Sequence, residues 1–170
     1  MISAVDPIRR AVRIGLAASG VLGFLAPLLT RLVIGQAFFF TGRGKIQSFA
    51  NTVSFFTDLG IPMPELNAAF VSRLEYYGGM ALIAGLLTRI VAAGLLSTMV
   101  VALMTADEEN FLAALKGTGE GGLTDVTPLV YLMFLLWLVL FGPGVVSIDA
   151  LLKRWLTKSG EVDAPAAPPA

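Results

Sequence analysis

The sequence predicts an all-α integral membrane protein, a four-helix transmembrane bundle with short interfacial helices. Hydrophobic residues make up 56% of the 170-residue chain and charged residues only 14%, against about a quarter charged in soluble domains. The apolar residues gather into stretches close to the roughly 20 residues that cross a bilayer. Between and after these stretches lie shorter segments with helical amphipathic spacing. The length fits one domain, and the zero net charge gives no sign of a nucleic-acid footprint.

From Ile14 to Gly42 the only charge is Arg31. The first span is expected at 20–42, with Pro27 marking a kink or a helix start, and residues 1–19 form a basic N-terminal segment carrying Arg9, Arg10 and Arg13. A cleaved signal peptide is the rival reading of this end, but cleavage would cut into the first span. Ile46, Phe49, Val53, Phe56 and Leu59 recur at helical spacing, so 46–59 reads as an amphipathic helix on the outer surface. Gly60-Ile61-Pro62-Met63-Pro64 ends it. The second span, 66–88, is interrupted by Arg73 and Glu75 and stopped by Arg89, and the third, 90–106, ends at Asp107, Glu108 and Glu109. With a single Thr88-Arg89 corner between them, these two form an antiparallel hairpin. The acidic trio reads as a solvated loop rather than a cation site. The fourth span, 126–142, is closed by Gly142-Pro143-Gly144. Ser147 then caps an inner amphipathic helix, 147–158, whose Lys153, Arg154 and Lys158 face anionic headgroups. The Ala/Pro-rich tail, 159–170, lacks the apolar bulk to fold.

Orientation follows from the basic residues in short flanking segments. Arg9, Arg10, Arg13, Arg89, Lys153, Arg154 and Lys158 lie on one side, and Arg43, Lys45 and Lys116 on the other. Both termini are therefore expected in the cytoplasm of a multi-pass protein of the bacterial inner membrane.

The chain has neither Cys nor His. That excludes disulfides, thiol catalysis, iron–sulfur clusters and the usual haem, zinc and copper sites, so no metal site is expected. Redox work would need a diffusible carrier such as a quinone, or a cofactor on a partner. Arg31, Arg73 and Glu75 fall inside spans, where a charge costs at least a few kcal/mol unless paired or hydrated. With Gly42 and Leu66 taken as level, Glu75 sits about 13 Å and Arg31 about 16 Å below the outer end at 1.5 Å per residue, which suits an ion pair. Lys45 and Arg43 could also reach Glu75 by bending inward. The cluster of Glu75, Arg31 and Lys45 is thus the candidate catalytic set, against the alternative that these charges only hold helices in register. Tyr76 and Tyr77 are candidates to hydrogen-bond a quinone carbonyl, although tyrosines at this depth also anchor to membrane interfaces. Gly78, Gly79, Ala81, Ala84 and Gly85 make a small-residue face for close helix packing.

Several marks fall in one order: Arg31-Leu32-Val33-Ile34-Gly35, Gly44-Lys45-Ile46 with Phe49, Gly60-Ile61-Pro62 and Pro64. They continue with Glu75 and Gly78-Gly79, Gly85-Leu86-Leu87-Thr88-Arg89, and Gly142-Pro143-Gly144 with Ser147-Ile148-Asp149. This order resembles the DoxX family of small four-helix bacterial membrane proteins over about Leu29 to Trp155, within a membrane domain placed at 20–158. The resemblance implies a relation to membrane subunits of a thiosulfate–quinone oxidoreductase, and puts the family's recurring charged positions at Arg31, Lys45, Glu75, Arg89 and Asp149. Many relatives have a His near the end of the third span and a Gly-Gly-Tyr-Glu stretch before the fourth. Here Thr105-Ala106-Asp107 and Gly121-Gly122-Leu123-Thr124-Asp125 stand instead.

The function that follows is a membrane subunit of a quinone-linked redox or stress-response complex, with no cofactor bound covalently or through Cys or His. A non-enzymatic membrane scaffold and a small transporter are the alternatives, and whether the chain is an enzyme stays open. The expected partners are the lipid bilayer, a redox subunit and, as an open alternative, further copies of the chain.

Overall fold

A computed structural model describes residues 9, 10, 13, 23–119 and 121–162. Most of the basic segment 1–19 and the tail beyond Val162 lie outside these residues. The described chain is helical, and no strand occurs in it. In order come α1 (Leu25–Gln47), α2 (Phe49–Asp58), α3 (Pro64–Ala84), α4 (Thr88–Met104), α5 (Glu108–Lys116), a 3-10 turn at Leu123–Asp125, α6 (Thr127–Phe141) and α7 (Ile148–Val162).

Two of the expected boundaries move, each for a local reason. The first helix runs past Gly42 and Gly44 to Gln47 because both glycines stay helical, and Ser48 donates its N–H to the Gly44 carbonyl at the end. The α3–α4 corner falls at Gly85–Leu87 rather than at Thr88-Arg89. Gly85 is left-handed (φ +70°), and the N–H of Leu86 turns back to the Ala81 carbonyl at 2.9 Å, a closure that suits a residue without Cβ.

One helix was not anticipated. Asp107, Glu108 and Glu109 start α5 instead of forming a solvated loop, with both glutamates in its first turn, where the exposed N–H groups favour negative charge. α5 bends away from α4 by 76°. At the other end α7 continues to Val162, into the stretch read as tail. Ser147 Oγ accepts the Ala150 N–H at 3.1 Å at its start.

α1 and α3 lie antiparallel in the most extensive contact of the fold, and α4 packs on α6 in the next. The core between the two pairs is Ile34 and Phe38 from α1, Leu82 from α3, Ala92 and Leu95 from α4, and Leu135 and Leu138 from α6. Glycines set the α1–α3 register. A Cβ on Gly79 would lie 2.6 Å from the Gly35 carbonyl oxygen, and one on Gly42 would lie 2.8 Å from the Glu75 carbonyl carbon. Gly42 is therefore level with Glu75 and Tyr76, and the helix backbones touch there.

At the opposite end the Asp149 carboxylate accepts the N–H groups of Leu87 (2.7 Å) and Thr88 (2.9 Å), closing the α4 N-terminus from the start of α7. The Asp149 N–H donates to the Gly85 carbonyl at 3.0 Å. Asp149→Ala should lower stability by about 1–2 kcal/mol, the usual cost of a lost N-terminal cap, read as a fall in thermal midpoint in detergent. Asp149→Asn, which keeps one acceptor, should lose less.

Among the described residues one straight helix, α1, is long and apolar enough to cross a membrane. α4 and α5 reach that length only as a bent pair, and α6 is apolar but has 15 residues, about 22 Å at 1.5 Å per residue.

Candidate functional site

Ala68, Ser72, Glu75, Gly79 and Leu82 are buried along one face of α3, the spacing of a helical stripe. Glu75 occupies the middle of that stripe, so its side chain enters the bundle and not the surroundings. Its side chain is 1% exposed. Across from it Gly42 brings α1 to backbone contact, and Lys45 follows about one turn later, within reach. Lys45 Nζ donates to Glu75 Oε1 at 2.6 Å, while the Lys45 side chain stays 27% exposed. Glu75 Oε2 is buried and has no hydrogen-bond partner among the described residues.

This ion pair stands at one side of a cavity of about 490 Å³ bounded by α2, the Gly60–Pro62 turn, α3 and the second half of α4. Phe56, Phe70 and Met99 are among its apolar walls, and Asn67, Ser97, Thr98 and Thr105 add polar groups. That volume lies within the roughly 300–1,000 Å³ of small-molecule sites. A charged pair beside a partly open, largely apolar cavity offers one donor centre and one acceptor, enough to orient the polar end of a largely apolar molecule.

Of the expected cluster, the structure brings together Lys45 and Glu75 but not Arg31. Arg31 is 1% exposed and lies at the far end of α1, about 21 Å from Lys45 along the helix axis at 1.5 Å per residue. There its Nη2 donates to the Val146 carbonyl, and its guanidinium fills the space that a side chain on Gly85 would need. Nε and Nη1 of Arg31 have no hydrogen-bond partner among the described residues. The expected Arg31–Glu75 pairing fails because Gly42 is level with Glu75 and not with Leu66, a slide of about 13 Å at 1.5 Å per residue.

Tyr76 and Tyr77 do not line the cavity. Tyr76 stacks on Phe39 with ring centroids 5.0 Å apart, and Tyr77 meets Tyr76 edge-on at 5.1 Å and is largely exposed. Arg73 is exposed and bonds the Ala69 carbonyl of its own helix. Asn67, Ser97 and Thr98 were missed by sequence reasoning. Their signal is faint, since single small polar residues in apolar helices commonly bond their own backbone. Among the described residues no cluster of acidic side chains suits a metal ion.

Comparison with known proteins gives a consistent assignment. Residues 26–108 match the family model described as DoxX. The chain is 34% identical over 131 residues to "Inner membrane protein YqjF" of Escherichia coli, covering 75% of this chain and 93% of that protein. It is 33% identical over 81 residues to "Putative oxidoreductase CatD" of Bacillus subtilis, covering 48% of this chain and 59% of that one. A third relative, "Uncharacterized membrane protein Rv3486" of Mycobacterium tuberculosis, is 32% identical over 141 residues, covering 76% and 83%. No solved structure matches.

Proposed function

This chain belongs to the DoxX family of bacterial membrane proteins, and from that premise we propose that it is a four-span subunit that binds a membrane quinone for a redox partner. Its spans are α1, α3, α4 and α6, with α5 at the outer surface, both termini cytoplasmic and the cavity in the outer leaflet. The outward surface supports this reading. Val33, Leu66, Ile90 and Met133, one from each of these helices, are 63%, 63%, 71% and 65% exposed, a load of apolar side chains that water-facing surfaces rarely carry.

The single observation that carries the ligand reading is the buried Lys45–Glu75 pair at the side of an apolar cavity. A quinone, when bound, supplies a carrier for two electrons and two protons. Lys45 can donate to a carbonyl oxygen with the ammonium hydrogens that Glu75 leaves free, and Glu75 Oε2 can hold or release a proton beside it. Phe56, Phe70 and Met99 offer the ring apolar contacts. Cys and His are absent, so electrons would arrive through a partner's cofactor. The oxidoreductase name of the Bacillus relative agrees with this reading.

The test is saturable binding of decylubiquinone by the purified chain in lipid nanodiscs. Ala102→Phe, which fills the cavity without touching the ion pair, should weaken binding at least about tenfold, equivalent to 1.4 kcal/mol, with the thermal midpoint nearly unchanged. If neither decylubiquinone nor decylubiquinol binds the natural chain saturably, the scaffold alternative replaces this reading.

A further inference from the structure

The hydrogen-bonding character of the cavity wall is lopsided. Ser97 Oγ donates to the Gly94 carbonyl at 2.6 Å, Thr98 Oγ1 to Leu95 at 2.7 Å and Thr105 Oγ1 to Val101 at 2.8 Å. Each hydroxyl has thereby committed its only proton to its own helix and offers the cavity lone pairs alone. Asn67 Nδ2 donates one amide hydrogen to the Pro62 carbonyl at 2.6 Å. Glu75 also lines the cavity, and its Oε2 is a buried acceptor with no hydrogen-bond partner among the described residues. Against these stand two sources of side-chain donors, the second amide hydrogen of Asn67 and the Lys45 ammonium. Lys45 already gives one hydrogen to Glu75 and is partly exposed, so water or headgroups can satisfy the others.

We propose that this cavity selects ligands that donate hydrogen bonds, and so holds the hydroxyl-bearing quinol in preference to the carbonyl-bearing quinone. The identity of the carrier rests on the function proposed above, whereas the donor preference rests on the wall. A quinol hydroxyl placed against Glu75 Oε2 makes a charge-assisted bond and satisfies a buried carboxylate oxygen. A quinone carbonyl in the same place sets lone pair against lone pair and leaves that oxygen orphaned, the costly arrangement for a buried acceptor. The ion pair is neutral overall, so the site favours a neutral donor without attracting a net charge. No electron transfer enters this preference, which is a matter of binding alone.

The test compares decylubiquinol with decylubiquinone, which differ by two hydrogens, in anaerobic equilibrium dialysis against the full chain in lipid nanodiscs. The quinol should bind at least about tenfold tighter, a conservative figure for a site built to bond a hydroxyl. In Glu75→Gln the amide oxygen turns to Lys45 and the amide N–H groups face the cavity, so the preference should vanish or reverse. Equal binding, or tighter quinone binding, by the natural chain overturns the donor preference and leaves the quinone reading standing. A preference that survives in Glu75→Gln overturns the role given to that oxygen. If neither form binds saturably, both readings fall. The ratio in the natural chain decides the matter even if the variant does not fold.

Discussion

Gly79→Ala and Gly42→Ala should each destabilise the protein by about 3 kcal/mol or more, beyond the usual 1–3 kcal/mol of overpacking. The reason is the identity of the atoms in the way. A Cβ on Gly79 would sit 2.6 Å from the Gly35 carbonyl oxygen and 2.9 Å from Phe39 Cα, and one on Gly42 would sit 2.8 Å from Tyr76 Cα. These are backbone atoms of a facing helix and cannot rotate aside as a side-chain end could. α1 and α3 would have to separate, which also pulls Lys45 away from Glu75. Gly44 is the control, because a Cβ there meets nothing within 4 Å. Gly44→Ala should be neutral or stabilising by up to about 1 kcal/mol, the helix-propensity gain. Thermal unfolding in detergent, followed for the three variants together, checks the pattern. Equal effects at Gly42 and Gly44 would refute the register described here.

The second large effect concerns the ion pair and is asymmetric. Lys45→Met should cost about 3–5 kcal/mol, the range for stranding a buried charge, because Glu75 is 1% exposed. Glu75→Gln should cost less, since Lys45 is 27% exposed and its long stem can carry the ammonium outward. The double variant, Lys45→Met with Glu75→Gln, should recover part of the loss of Lys45→Met alone. A double-mutant cycle on thermal midpoints measures this coupling directly. A purely additive cycle would mean that the 2.6 Å contact contributes nothing.

Much of the organisation was legible because it is one-dimensional information. Apolar stretches, amphipathic spacing before Gly60, and the location of Glu75 within an apolar segment can all be read without knowing what faces what. The α5 helix was not legible. Asp107, Glu108 and Glu109 suit a solvated loop and the first turn of a helix equally well, and the chain after them decides between the two. The cavity was hidden for a different reason. Its walls come from segments as distant as Lys45 and Thr105, and its hydroxyls look unremarkable until their protons are traced to backbone carbonyls.

The low charge, the absence of Cys and His, and the placing of Glu75 among apolar residues were determined by the sequence alone. They point to a membrane setting and leave proton or ion chemistry to Asp, Glu, Lys, Arg and Tyr. Which cation answers Glu75 was decided only by tertiary structure. Arg31 and Lys45 were both plausible at the level of segments, and the choice depends on how far one helix slides along another. Contact through Gly42 and Gly79 fixes that slide, since backbones come this close only where at least one side lacks a Cβ. It puts Lys45 at the cavity and sends Arg31 to the far end, beside Val146 and Gly85.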